Sequence, residues 1–125
     1  MIVAANWKMN PSIEDAGALA AAYVGTAFDG VTRILFPPHP YLVHMAMRLG
    51  QSGIRLGGQD CHSAASGAHT GGVAAHMLVA CGADIVLLGH SERRTDHGES
   101  DALVRAKAGA ALAENLSVMI CVGET

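Results

Sequence analysis

Two stretches of this chain carry side chains of a kind and spacing suited to chemistry: Asn6-Trp7-Lys8-Met9-Asn10 and Gly89-His90-Ser91-Glu92-Arg93-Arg94. His90 stands between an apolar run, Asp84 to Leu88, and a segment, Ser91 to Arg94, able to make one helical turn. A helix start presents free N–H groups and partial positive charge. That field disfavours an imidazolium, so a neutral ring able to donate a hydrogen bond is expected. The plainer alternative is a structural histidine packed at a strand end. Lys8 follows a short apolar stretch, and an ammonium at the open end of a strand can attract an anionic group. Alternatively, that lysine merely carries its charge to water along an apolar stem. Glu92 suits the first turn of a helix, where the dipole favours a carboxylate.

Other chemistries find less support. The chain has 7 histidines, but no His-Glu-x-x-His or similar ligand spacing, so no metal is expected and the histidines read as solvated or core residues. The 3 cysteines, Cys61, Cys81 and Cys121, form no Cys-x-x-Cys pair and read as buried free thiols. A net charge of -3 leaves no basic footprint for nucleic acid. No apolar run approaches the roughly 18 residues of a membrane span. The N-terminus lacks the basic start and long apolar stretch of a signal peptide, which leads to the expectation of a cytoplasmic protein.

The elements that must position these residues alternate between strand and helix, as in βα units around a parallel sheet. A length of 125 residues suits one domain, 1–125, and half of the residues are apolar, enough for a core. Strands are expected at Ile2 to Trp7, Val31 to Phe36, Ile54 to Gly58, Asp84 to Leu88 and Val118 to Val122. The fourth is apolar throughout after Asp84, as in a sheet covered on both faces. Asn10-Pro11-Ser12 opens the first helix, with Pro11 in its first turn and Ser12 and Asp15 resembling a capping box. The alanine-rich run to Ala27 continues it. Further helices are expected from Pro40 to Leu49, closed by Gly50, from Val73 to Cys81, closed by Gly82, and from Glu99 to Asn115. A polar, glycine-containing loop covers residues 60–71.

Read in this order, Asn6-Trp7-Lys8-Met9-Asn10 after strand one, Gly89-His90-Ser91-Glu92-Arg93-Arg94 after strand four and Cys121-Val122-Gly123-Glu124 after strand five resemble the triosephosphate isomerase family. Gly67-Ala68-His69-Thr70-Gly71 looks like the family's dimer-contact loop. The resemblance covers the whole chain and implies the first five βα units of a (β/α)8 barrel, a partial TIM barrel with its parallel sheet left open. Full barrels run to about 250 residues. One departure is Gly72, where the family usually has Glu, which puts one loop or subunit contact in doubt.

The resemblance implies interconversion of dihydroxyacetone phosphate and glyceraldehyde 3-phosphate, a step of glycolysis and gluconeogenesis, through an enediolate. The family is itself the standard illustration of a glutamate base working with a neutral histidine electrophile under a closing loop. His90 maps to the electrophile, Lys8 to the cation that balances phosphate and enediolate charge, and Asn6 to an oriented amide near the same oxygen. Glu92 maps to a carboxylate that pairs with Lys8, in a supporting role. Arg93, Arg94 and Glu124 look like scaffold ion-pair residues. No cofactor is implied. The family's base follows strand six and its phosphate cradle later strands, neither of which has a counterpart in these residues. The chain alone is therefore expected to be inactive and, with two unpaired sheet edges, to associate into homo-oligomers. The alternative is a non-catalytic, self-associating half-barrel scaffold.

Overall fold

The computed structural model describes residues 1–123, so Glu124 and Thr125, including the expected ion-pair role of Glu124, lie outside the described residues. The strands are β1 (Ile2–Asn6), β2 (Thr32–Phe36), β3 (Arg55–Gly58), β4 (Ile85–Leu88) and β5 (Ser117–Ile120). The helices are α1 (Ile13–Val24), α2 (Leu42–Leu49), α3 (Ala75–Ala80), α4 (Ser91–Asp96) and α5 (Asp101–Ala113). One 5-stranded parallel sheet runs in the order β1-β2-β3-β4-β5, each strand pairing with its neighbour in sequence. Among the described residues, β1 pairs only with β2, and β5 only with β4. No described helix is long and apolar enough to cross a membrane.

Strand side chains alternate between faces, and each face has its own core. Ile34 and Phe36 of β2 and Ile85 and Leu87 of β4 cluster on the inner face, with Met119 and Cys121 packed against them. Leu35, Leu56, Val86 and Leu88 point the other way, into a larger core shared with Ala16, Ala20, Leu42, Met45, Leu78 and Val104 of the helices. β4 is buried along its whole length, as its apolar sequence leads one to expect.

β3 is where the two cores come closest. A Cβ on Gly57 would lie 2.3 Å from Phe36 Cε1, and one on Gly58 would lie 2.6 Å from Leu78 Cδ1. Both glycines therefore make room: Gly57 for an aromatic ring inside the sheet, Gly58 for a leucine outside it. At its start β3 is pinned by Arg55, whose Nε donates to Asp84 at 3.1 Å and 3.2 Å and whose Nη2 donates to Ser117 Oγ at 3.1 Å.

Element ends differ from the sequence expectation for identifiable reasons. Ser12 Oγ accepts the Asp15 N–H at 3.2 Å, which makes Ser12 the N-cap and places Pro11 before the helix, not in its first turn. α1 stops at Val24, short of Ala27, because Arg33 of β2 reaches back and donates to the carbonyls of Tyr23 and Thr26 at 2.7 Å and 2.6 Å. The helix expected from Pro40 starts as a 3-10 turn, His39–Tyr41, and becomes α-helical at Leu42. Val73 is drawn out of α3 because its carbonyl accepts the His62 N–H at 2.7 Å. α4 runs on to Asp96, beyond the single turn expected. α5 starts at Asp101, capped by Ser100, which leaves Glu99 outside the helix. Of the thiols only Cys61 is buried. Cys81 caps the end of α3 and Cys121 follows β5 on the open inner face, so both are half-exposed.

Gly57→Ala is expected to destabilise the chain by about 1–3 kcal/mol through overpacking against Phe36. In a urea-denaturation cycle with Phe36→Leu, the double variant is expected to be more stable than the two single losses predict, by at least about 0.5 kcal/mol. Simple additivity would show that the ring does not press on this glycine.

Candidate functional site

The chemistry-bearing residues gather at the C-terminal ends of the strands. Asn6 is the last residue of β1, and Lys8 follows two residues on with φ 54, a left-handed conformation uncommon outside glycine. Such a backbone costs about 1–3 kcal/mol and persists only where its surroundings hold it. Three hydrogen bonds build that hold. Asn6 Oδ1 accepts the Lys8 N–H at 2.9 Å. Gln59, just past β3, donates from its side-chain amide to the Lys8 carbonyl at 2.8 Å and to the Phe36 carbonyl at 2.9 Å. With Oδ1 occupied, Asn6 keeps its NH₂ group as a donor.

His90 follows the turn residue Gly89 (φ 68) and is the N-cap of α4. Its Nδ1 accepts the Glu92 N–H at 3.2 Å. That bond requires a bare Nδ1, so the neutral ring carries its proton on Nε2 and remains a donor. Glu92 then reaches across the mouth: its Oε1 lies 2.7 Å from Lys8 Nζ, and its Oε2 lies 3.5 Å from His90 Nδ1. The hydrogen bond from Lys8, helped by the Lys8 charge, holds the exposed Glu92 carboxyl below its ordinary value. Asn6, Lys8, His90 and Glu92 thus line one open cleft of about 700 Å³.

A charge cluster runs from the cleft wall into the core. Lys107 of α5 donates to both oxygens of Asp60 at 2.9 Å and 3.0 Å, and also to Glu99. Arg93 of α4 pairs with Glu99 at 2.7 Å and with Asp60 at 3.1 Å. Lys107 and Glu99 are each only 5% exposed. Burial alone would push the Glu99 carboxyl up, but the hydrogen bonds and charges of Lys107 and Arg93 outweigh it and hold the carboxyl low. Cys61 sits beside this cluster, where burial, reinforced by Asp60, pushes its thiol up to about 11. Arg94 is a scaffold residue too: its Nη1 pairs with Asp101 at 2.6 Å and its Nε donates to the Gly89 carbonyl at 2.8 Å, just before His90.

Sequence reasoning found Asn6, Lys8, His90 and Glu92, and the structure brings all of them together. It overlooked Gln59, Asp60, Glu99 and Lys107. Lys107 did leave a signal, because it falls on the buried stripe of α5 with Val104, Ala108 and Ala111. A charge on an apolar stripe implies a buried partner. Among the described residues no group of three or more His, Cys, Asp or Glu is placed to hold a metal ion. At Gly72, the loop is closed by the Gly72 N–H on the His69 carbonyl at 2.8 Å, and the rings of His62 and His69 stack at 4.1 Å. A Cβ at position 72 would lie 3.0 Å from that carbonyl and 3.3 Å from the His62 ring, so a side chain there would need its neighbours to shift by a few tenths of an ångström.

The sequence model of the family described as Triosephosphate isomerase matches residues 1–125. This chain belongs to the triosephosphate isomerase family. A triosephosphate isomerase of Xanthobacter autotrophicus is 48% identical over 128 residues, covering 100% of this chain and 50% of that relative. One from Afipia carboxidovorans is 48% identical over 126 residues, covering 99% of this chain and 50% of the relative. The crystal structure of triosephosphate isomerase from Bartonella henselae superposes with a TM-score of 0.91 at 45% identity, covering 99% of this chain and 51% of that one. The open, curled sheet is accordingly part of a TIM barrel, and the chain spans about half the length of the triosephosphate isomerases it matches.

Lys8→Met is expected to return the Glu92 carboxyl toward the ordinary glutamate value of 4.5, as followed by carbon NMR of the side-chain carboxyl. Because the native value is lowered, the stabilisation from this pair is present above 4.5 and fades as pH falls through the lowered value. An unchanged Glu92 titration in the variant would mean that Lys8 is not its partner in solution.

Proposed function

We propose that these residues form the β1-to-β5 part of an active site that interconverts dihydroxyacetone phosphate and glyceraldehyde 3-phosphate by proton transfer through an enediolate. One observation carries the reading: Lys8 and His90, 82 positions apart in a chain numbered 1–125, share one cleft, with Glu92 hydrogen-bonded to the first and its backbone N–H capped by the second. In this reading, His90 donates from Nε2 to the substrate oxygen that becomes negative, acting as the electrophile. The Lys8 ammonium balances phosphate and enediolate charge, Asn6 offers its NH₂ group to the same region, and Glu92 fixes the ammonium in place. No cofactor enters the reaction. A cytoplasmic location accords with this reading and with the three free cysteines.

The reading also assigns no proton-abstracting base to this stretch. Of the carboxylates lining the cleft, Glu92 is tied to Lys8, and Asp60 to Lys107 and Arg93. Asp96 is exposed at the last residue of α4. By resemblance, the family's glutamate comes from beyond strand five. A coupled isomerisation assay is expected to give background turnover for the 125-residue chain alone and turnover when a family C-terminal half is supplied. His90→Gln in that complemented pair is expected to lower kcat by about 10²–10⁴-fold, the usual span for a positioned proton-transfer group. Turnover by the chain alone well above background would overturn the assignment.

A second reading, a self-associating half-barrel scaffold, is favoured by the apolar side chains at the two sheet edges. Ile2 and Val3 are 61% and 52% exposed, and Ile120 and Val122 are 47% and 88% exposed. Backbone N–H and C=O groups on the outer sides of β1 and β5 are a template for further pairing. Size-exclusion chromatography with light scattering is expected to show homo-oligomers, and a clean monomer at micromolar concentration would count against this reading.

A further inference from the structure

His39 opens the 3-10 turn ahead of α2, between Pro38 and Pro40. Proline on both sides restricts the backbone that carries the ring. Its Nε2 accepts the backbone N–H of Gln59 at 3.1 Å. Gln59 in turn spends its side-chain NH₂ group on two carbonyls, Phe36 at the end of β2 and Lys8 beyond the end of β1. The Lys8 side chain continues the relay to Glu92. His39 therefore stands at the far end of a hydrogen-bonded chain whose near end is the ammonium of the cleft.

We propose that His39 is a positioning residue for Lys8: its bare Nε2 fixes Gln59, Gln59 holds Lys8 in its left-handed conformation, and protonation of His39 replaces the acceptor with a donor and releases the hold. This rests on the assignment of Lys8 as the site cation. A proton taken from solvent forms the Nε2–H bond, and the other bonds that change are hydrogen bonds. An imidazolium has N–H on both nitrogens, so Nε2 would face the Gln59 N–H donor to donor.

The surroundings favour the neutral ring. Burial, the largest influence, pushes His39 down from 6.5; the Asp60 carboxylate raises it, Arg93 lowers it and the Asp60 backbone raises it, with a net lowering. Cys61, His62 and Lys107 also line the small cavity on this side of the ring. On the cleft side the further titratable groups are Lys8, His90, Glu92, Asp96 and His97. With the folded value lowered, the hold is intact above 6.5 and is lost as pH falls through the lowered value.

The test is a pH titration of the isotopically labelled 125-residue chain by NMR, from about pH 8 to about pH 5, the range in which histidine changes charge. The His39 ring carbon, the Gln59 and Lys8 backbone amides and the Gln59 side-chain amide are expected to shift with one common midpoint. In His39→Gln, whose amide oxygen accepts at any pH, the Gln59 and Lys8 signals are expected to hold their neutral positions throughout. The proposal is overturned if those signals stay fixed while the native His39 ring titrates, or if they titrate unchanged in His39→Gln. The native titration decides the matter even if the variant fails to fold. Neither readout needs turnover, so failure of this relay is distinguishable from failure of the Lys8 assignment, which rests on the complemented activity assay.

Discussion

Two cations and two carboxylates hold one another in place here, each pairing with both members of opposite sign. Removing one leaves each oppositely charged member with a single partner, and the loss weighs most on the two that are almost fully buried, Lys107 and Glu99. In this chain the four are Asp60 after β3, Arg93 on α4, Glu99 before α5 and Lys107 within α5. Asp60 and Arg93 line the cleft, and Glu99 and Lys107 are buried behind them. Asp60 adjoins Gln59, which clamps Lys8, and Arg93 adjoins Glu92, which neutralises Lys8. The placing of the exposed ammonium is thus backed by ion pairs that run from the cleft wall into the core. Hydrophobic packing alone, being non-directional, would not fix side chains from four separate segments to hydrogen-bond accuracy.

The cleft follows a related division. Lys8 adopts a backbone conformation that it would avoid alone, held by Asn6 and Gln59. His90 needs no strain: the N-terminus of α4 gives its Nδ1 a backbone N–H to accept and so leaves Nε2 to donate. One side chain is placed by force and the other by the ordinary geometry of a helix start. Both face the same opening because parallel strands end on the same side of the sheet.

What the sequence reveals of this arrangement depends on how local each cause is. The strands were legible because Ile-Val-Leu-Leu and its counterparts are short apolar runs bounded by glycine and proline. Asn6, Lys8, His90 and Glu92 were legible because they sit in compact motifs at strand ends. Helix limits were less so. The end of α1 is set by Arg33, which arrives from β2, and the start of α3 by His62, which arrives from the preceding loop. Gln59 and His39 leave no pattern at all, since their partners come together only when β1, β2 and β3 lie side by side. Lys107 stands between these cases: the apolar stripe of α5 shows that it is buried, but not that Asp60 and Glu99 receive it.

The sheet order β1-β2-β3-β4-β5 has a consequence for how the molecule is made. Every strand after β1 docks against the one synthesised just before it, so only β1 waits for a later strand in order to find its neighbour. A ribosome releasing the chain from its N-terminus would deliver each βα unit onto a surface already laid down. Loop-closure entropy is then met in short instalments rather than in one long-range step. The growing face is always the newest strand, which stays open to chaperones and to wrong partners until the next one arrives.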